Sequence, residues 1–576
     1  MMPVNINKTL SDSRNSHNNQ IIVKIVPFGP NSKSINSIIT QLPIRPKVRS
    51  FLKSTRDEGL GKKMGNKQSL RLLSFELLPD AVLTVNKRTS LSKSYLAKYY
   101  NYDDNRCITI KGKLGQSNPT EIVESKQQPL PNNEEFEEAV QILSQKEPNI
   151  SESIRSKILN PYRPMPPLYI KESSDGDIER VLCIGLRPTG FDTATFSSDI
   201  NDSSKQRHQI IAVNMVRKSV NRFDNRAPEN SRADESLCGS PYAGQPTANR
   251  GTPGSAKVTI TRENKLLWDF VVTRPAFSSG TNGSGIELQF VNYKGKRVLR
   301  RANVPILNVK YDDDACGPYR DWQYEEGMIE ADGDDVAPGF RLCPTPAKTI
   351  LDSGNDQGNF LGVAVYVDGA HEEVVLVSEM EAGWYRYISE WRFHMNGTLK
   401  PRFGFAAVNN SCVCNSHHHH VYWRLNFDVG DIKKNVVEEY NNPPLSGGTS
   451  NWHTIKYETK RLKDLSSNRR WRIRRQGKTE KGYLIIPGPN DGIADSFGKG
   501  DIWFLRNRPH QFDDGIEANG PPYEALIDGF VNHERIKDKD VVIWYGAHFT
   551  HDVTHDDEGT TGHIVGPDLV PINIQD

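Results

Sequence analysis

A chain of 576 residues is long enough for two to four domains, and a formal charge of +2 with a quarter of the residues charged implies neither a nucleic-acid nor a membrane partner overall. No stretch approaches the roughly 20 apolar residues that span a bilayer, and the opening "MMPVNINKTLSDSRNSHNNQ" lacks the apolar core of a secretory signal, so an intracellular, cytoplasmic protein is expected. Seven cysteines without a regular framework predict a fold that does not depend on disulfides.

Residues 1–130 hold 21 Lys and Arg against 9 Asp and Glu, an excess of +12 that leaves −10 on the remainder. We expect a basic, weakly structured N-terminal region, its first 20 residues polar and its later apolar segments short ("IIVKIVPF", "SFELLPDAVLTV"). The mildly acidic body modestly favours cationic small molecules. In "NNEEFEEAVQILSQKEPNI", Phe136, Ala139, Val140, Ile142 and Leu143 recur at helical spacing behind an acidic first turn. The strand-like "RVLCIGLRPTG" and "HQIIAVNMVRKSVNRF" follow, giving a small α/β domain over 131–225. Residues 226–260 are dense in Gly, Pro and Ser and read as a linker. From 261 to 576 short alternating strands and turn signals predict a mainly β domain, a large antiparallel β-sandwich.

Inside that domain, "SCVCNSHHHHVYWRLNFDV" sets two cysteines and four histidines ahead of a patterned strand. Side chains alternate along a strand, so residues two apart share a face. The odd positions, His417, His419, Val421, Trp423, Leu425 and Phe427, form an apolar set; His418, His420, Tyr422, Arg424, Asn426 and Asp428 form a polar, wetter one. Two imidazoles side by side on a core-facing strand pack poorly without a common partner, and a transition metal is the natural one. A chance surface tract is the plain alternative. His548, His551 and His555 in "DVVIWYGAHFTHDVTHDD" are candidates for a third ligand, and spacing does not choose among them.

Four ordered segments resemble the copper- and topaquinone-dependent primary amine oxidases: "KGKRVLRRANVPILNVKY", "EAGWYRYISEWRFHMNGTLK", "HHHHVYWRL" and "DVVIWYGAHFTH". The resemblance covers about 265–576. It implies copper held by His417, His419 and His551, topaquinone formed from Tyr385, and a hydrogen bond to that quinone from Tyr311. It also implies a second, calcium-like ion at Asp428 and Asp540. The family oxidises a primary amine with dioxygen, releasing aldehyde, ammonia and hydrogen peroxide, and works as a homodimer; the same is expected here by resemblance. Tyr385 shares its strand face with Tyr387, Trp391 and Phe393, and "NG" at 396–397 predicts a hairpin turn after them.

Departures fall on working positions. Glu381, Trp384 and Arg386 replace the family's Thr, Asn and Asp/Glu around the cofactor tyrosine. In "YRDWQYEEGMI", Trp322 stands where the catalytic Asp belongs; Asp321 is adjacent, and a one-residue shift in a strand is expected to turn it to the other face. Asp321 or Glu325 is the candidate base only where the local backbone differs from the family's. Cys343 matches one partner of the family's disulfide, with no second cysteine in "NFLGVAVYVDG". Two alternatives follow: an amine-oxidase-like protein that binds copper or a partner without the oxidase reaction, or zinc in the histidine triad assisted by Cys412 or Cys414. The basic "RRWRIRRQGK" reads as a solvated strand face more readily than as a nucleic-acid contact.

Overall fold

Alternation read from 261 onward becomes strand after strand in the computed structural model. The structure describes the chain except residues 1–9, 12–19, 30–31, 58–69, 79–93, 127, 165–166, 170–178, 189–208, 223–237, 241–248, 251–253, 280–282, 313–317, 322–324, 355–356, 409–410, 430–433, 446–447, 478–480, 509–510, 516–521, 552–562 and 575–576. Trp322, His555 and most of the proposed linker therefore lie outside the described residues. Two compact units are formed, one from 1–28, 236–516 and 521–576, the other from 29–235 and 517–520.

The larger unit is a sandwich of two antiparallel-dominated sheets. In the first, neighbouring strands run Ile21–Phe28, Ser255–Arg262, Lys265–Thr273, Ser284–Tyr293, Lys296–Tyr311, His417–Phe427, Val541–His551, Ile502–Arg506 and Thr459–Arg461. The second includes Val363–Asp368, Glu373–Ala382, Tyr385–His394, Leu399–Ala407, Asp568–Ile572, Gly482–Ile486, Arg470–Arg475 and Asn435–Tyr440 in that order. Their inner faces meet through aromatic rings. Phe270 stacks on Phe393 with centroids 4.1 Å apart, Trp268 meets the same ring edge-on at 5.3 Å, and Trp391 donates its indole N–H to the Ile286 carbonyl at 3.0 Å. Each buried ring takes roughly 150–250 Å² out of water, about 4–6 kcal/mol on the transfer scale.

Tight turns set where the site strands begin. Glu373–Ala382 and Tyr385–His394 pair from Ala382↔Tyr385 outward, leaving Gly383 and Trp384 as a two-residue turn. Gly383 has φ +62, the conformation the first central residue of such a hairpin requires. A hairpin turns at 396–397, but its loop is longer than the two residues the "NG" signal predicts: Phe393 pairs with Leu399, the His394 N–H reaches the Thr398 carbonyl at 2.9 Å, and Gly397 sits at φ +96 against the Tyr293 ring.

The smaller unit contains two α+β groups. The predicted helix spans Asn133–Lys146; Asn132 caps it by accepting from the Glu135 N–H, and Phe136, Ala139, Ile142 and Leu143 are buried. It packs with Pro148–Arg155 on a sheet ordered Ser219–Arg222, Gln209–Asn214, Val181–Pro188 and Leu159–Tyr162. The Glu135 carboxylate pairs with the Arg180 guanidinium, both side chains fully buried. The N-terminal 130 residues are not uniformly weak in structure. They hold helices Ser32–Gln41 and Pro46–Asp57 and a meander of Leu70–Leu78, Ser94–Asn101, Arg106–Lys113 and Glu121–Ser125, with Ile35, Val48, Tyr95 and Ile108 in its core. Lysines on the outer positions masked this pattern, as in Ser94–Asn101, where Tyr95, Ala97 and Tyr99 are buried in alternation.

Candidate active site

Backbone register builds the site. His417–Phe427 lies between two long partners, and its first residue pairs with Tyr311 on one side and His551 on the other. Two residues along, His419 pairs with Val309 and Phe549. Alternation then brings the rings together: His417 lies 4.9 Å from His419 and 4.8 Å from His551, centroid to centroid. The facing sheet contributes Tyr385, 5.6 Å from His417 and 4.7 Å from His419. Phe405 stacks on His419 at 4.8 Å and on Phe549 at 5.2 Å. Tyr385, His417, His419 and His551 line one cavity of about 570 Å³.

Hydrogen bonds fix the proton positions. His417 Nδ1 lies 2.6 Å from the Asn415 carbonyl, which can only accept, so Nδ1 carries the proton and Nε2 the lone pair. His419 Nδ1 lies 3.1 Å from the Tyr387 hydroxyl, and that hydroxyl donates its own proton to Asp321 Oδ2. His419 Nδ1 is therefore a donor too, and Nε2 again bears the lone pair. Burial holds both rings neutral, pushing His417 down to about 3 and His419 well below the ordinary imidazole range. Neutral imidazoles with the remote nitrogen anchored are the form that ligates a transition metal. The donor chemistry thus fits copper or zinc. Among the described residues, however, no group of three or more His, Cys, Asp or Glu side chains closes into a metal-holding arrangement. The three rings are neighbours rather than a closed coordination set.

Tyrosines join this histidine cluster to a carboxyl group. The Tyr311 and Tyr385 hydroxyls are hydrogen-bonded to each other, and Trp384 donates its indole N–H to Tyr311 at 3.0 Å. Trp384 thus makes a polar contact through its ring nitrogen. Asp321 ends the short strand Tyr319–Asp321, paired to Leu307. The expectation that a one-residue shift turns it away is not met: its carboxyl sits with Tyr387 in this cluster. Oδ1 has no hydrogen-bond partner among the described residues, and burial pushes the group up to about 7. Burial raises the Tyr385, Tyr311 and Tyr387 phenols as well. Glu325 is buried in a two-residue strand paired with Arg250. Arg386 is fully buried and clamps the turn by donating to the Gly383 and Tyr385 carbonyls at 3.1 and 2.9 Å.

Several sequence readings are corrected. Cys414 forms a disulfide with Cys238, and Cys412 is disulfide-bonded as well. The expectation of a fold without disulfides fails, and neither thiolate is available to a zinc site. Cys107, Cys183 and Cys343 are free and buried. The even positions of the histidine strand are wet only at its start: His418 is partly exposed, whereas His420, Tyr422 and Arg424 are buried, because segments around 498 and 511 cover that face. There His420 and His548 share a hydrogen bond between their Nδ1 atoms at 2.8 Å, and His548 Nε2 donates to Asp501 at 3.0 Å. No spacing rule foretold this chain. At the two carboxylates read as a calcium-like site, Asp428 accepts from Arg300 Nε at 2.9 Å and Asp540 from the Asn507 amide at 3.1 Å. In the basic strand, Arg472 and Arg474 both bind Glu438 at 2.7 Å. Among the described residues no helix is long and apolar enough to cross a membrane.

No protein-family model matches the chain, and no curated protein matches it. Solved structures do. Copper-containing benzylamine oxidase from Hansenula polymorpha superposes with a TM-score of 0.56 at 12% identity, over 95% of this chain and 98% of that one. Lysyl oxidase from Pichia pastoris gives 0.52 at 13% identity, over 88% of this chain and 85% of that one. At such identities the likeness is one of architecture: this chain has the fold of the copper amine oxidases.

Proposed function

We propose that the protein is a copper-dependent quinoprotein that oxidises a primary amine to an aldehyde, with Tyr385 as the residue converted to topaquinone. The observation that carries this reading is the placement of one buried tyrosine in ring contact with His417 and His419, its hydroxyl held by Tyr311. His417, His419 and His551 would hold the metal. Bound copper supplies oxidation of the nearby phenol and an electron route to dioxygen. The chain's own residues do the rest. Tyr311 and Trp384 orient the Tyr385 oxygen, and Phe405 and Phe549 form an aromatic wall beside the rings. Asp321 takes a proton near neutral pH, where a general base works best. An amine oxidised by two electrons gives aldehyde and ammonia after hydrolysis, and dioxygen leaves as hydrogen peroxide.

A second reading is a metal-binding protein of this fold without the oxidase reaction. It is favoured by Tyr387 occupying the Asp321 carboxyl and by the unconverged histidines. One experiment separates the two. Protein prepared without copper is reloaded with Cu(II) in air and treated with phenylhydrazine while the visible spectrum is recorded. A hydrazone band that is absent from Tyr385→Phe supports the oxidase; bound copper with no band supports the second reading.

A further inference from the structure

The cavity wall is tied by a covalent bond that the reaction does not use. Cys238 and Cys414, with Cα atoms 5.0 Å apart, join two segments separated by 176 residues in sequence. Both segments reach the cavity at the very next residue: Gly239 and Ser240 after Cys238, Val413 before Cys414. Ser240 continues the tie, its N–H bonded to the Ala407 carbonyl at 2.8 Å and its hydroxyl to the Gly354 carbonyl. On the other side, Cys414 closes the one-turn helix Ser411–Cys414 and precedes Asn415, whose carbonyl anchors His417 Nδ1 at 2.6 Å. Among the described residues Cys107, Cys183 and Cys343 are free and buried, while Cys238 and Cys414 are only half-buried.

We propose that the Cys238–Cys414 disulfide is a redox-sensitive clamp on the cavity: oxidised, it holds the 238–240 wall in place and the Asn415 carbonyl on His417; reduced, it releases both. The reductant is a dithiol. Its thiolate attacks one sulfur of the bridge to form a mixed disulfide and expel the other cysteine as a thiolate. Its second thiolate then displaces the first cysteine, so that two electrons and two protons pass to Cys238 and Cys414 and the reductant leaves as a cyclic disulfide. The effect on His417 as a ligand rests on the proposed copper site; the effect on the wall does not.

The test uses the full chain in two forms, wild type with and without dithiothreitol, and Cys238→Ser/Cys414→Ser, which removes this bridge and leaves that of Cys412. Deuterium uptake is measured in the peptides over 238–240 and 411–417 in every form, and Cu(II) affinity by competition with a chelator in untreated wild type and the variant, because dithiothreitol itself reduces and chelates Cu(II). Peptide mass spectrometry verifies which cysteines are thiols. The clamp predicts faster exchange in both peptides on reduction and in the variant, with copper affinity of the variant lower by roughly tenfold to a hundredfold, the usual loss when a ligand's outer partner goes. Unchanged uptake in both peptides would overturn it. Faster uptake in a protein that binds no copper in either state would uphold the clamp and reject the metal reading instead.

Discussion

Replacing Asp321 by Asn should make the protein more stable above neutral pH, against the usual cost of altering a buried polar residue. In the unfolded chain this carboxyl ionises near the ordinary value of about 3.9. In the fold, burial with a single hydrogen bond from Tyr387 raises it to about 7. Between those values the native state keeps a proton that the unfolded state has lost. Stability from this group is thus fully present below about pH 4, falls as pH rises, and is lost on passing about 7. Three units at about 1.4 kcal/mol each give a swing of about 4 kcal/mol. Asn keeps an acceptor for the Tyr387 hydroxyl and cannot ionise. Urea unfolding of both proteins, followed by tryptophan fluorescence between about pH 4 and 8, isolates the effect as a difference that cancels other titrations. The variant should gain on wild type by roughly 4 kcal/mol across that range. A difference that stays flat with pH would refute the raised carboxyl, and with it the case for Asp321 as a base.

Tyr387→Phe removes the hydroxyl that donates to Asp321 and faces His419, leaving buried groups unpaired; we expect a loss of roughly 1–3 kcal/mol in urea unfolding and weaker Cu(II) retention on dialysis. In the smaller unit, Glu135→Gln strands the fully buried Arg180 charge, and differential calorimetry should show that unit destabilised by about 3–5 kcal/mol. Gly339→Ala combines a φ of +74 with a Cβ placed on the Arg274 guanidinium, which binds Glu326. It should lower the melting temperature, while an alanine at the open, exposed Gly477 should leave it unchanged.

Parity along the strand was enough to pair His417 with His419 on one face, because alternation is local geometry. It was not enough to tell wet from dry. His420 and Arg424 look like solvent-facing residues, yet covering segments some eighty residues away in sequence bury them and supply the Gly498 and Gln511 carbonyls of that face. The choice of His551 over His548 came from resemblance alone; the register that sets one beside His417 and the other beside His420 is a property of the ladder. Tyr387 was visible on the same face as Tyr385, but its bridge from Asp321 to His419 joins three strands from both sheets. The short, lysine-flanked strands near the N terminus were illegible for a different reason: their buried positions are few and uneven, from none in Glu121–Ser125 to five in Ser94–Asn101, too irregular to stand out from composition.

The row Tyr311–His417–His551 also fixes when the site can come into being. Its three members come from strands that are neighbours in the sheet and far apart along the chain. Such non-local pairings close late, since each must first bring distant segments together. During synthesis, the histidine pair emerges long before the strand that ends in His551. Any modification of Tyr385 that needs all three rings must wait until the whole ladder has zipped, so maturation would report on completed folding: a chain arrested before Val541–His551 docks would carry an unmodified tyrosine however much metal surrounds it.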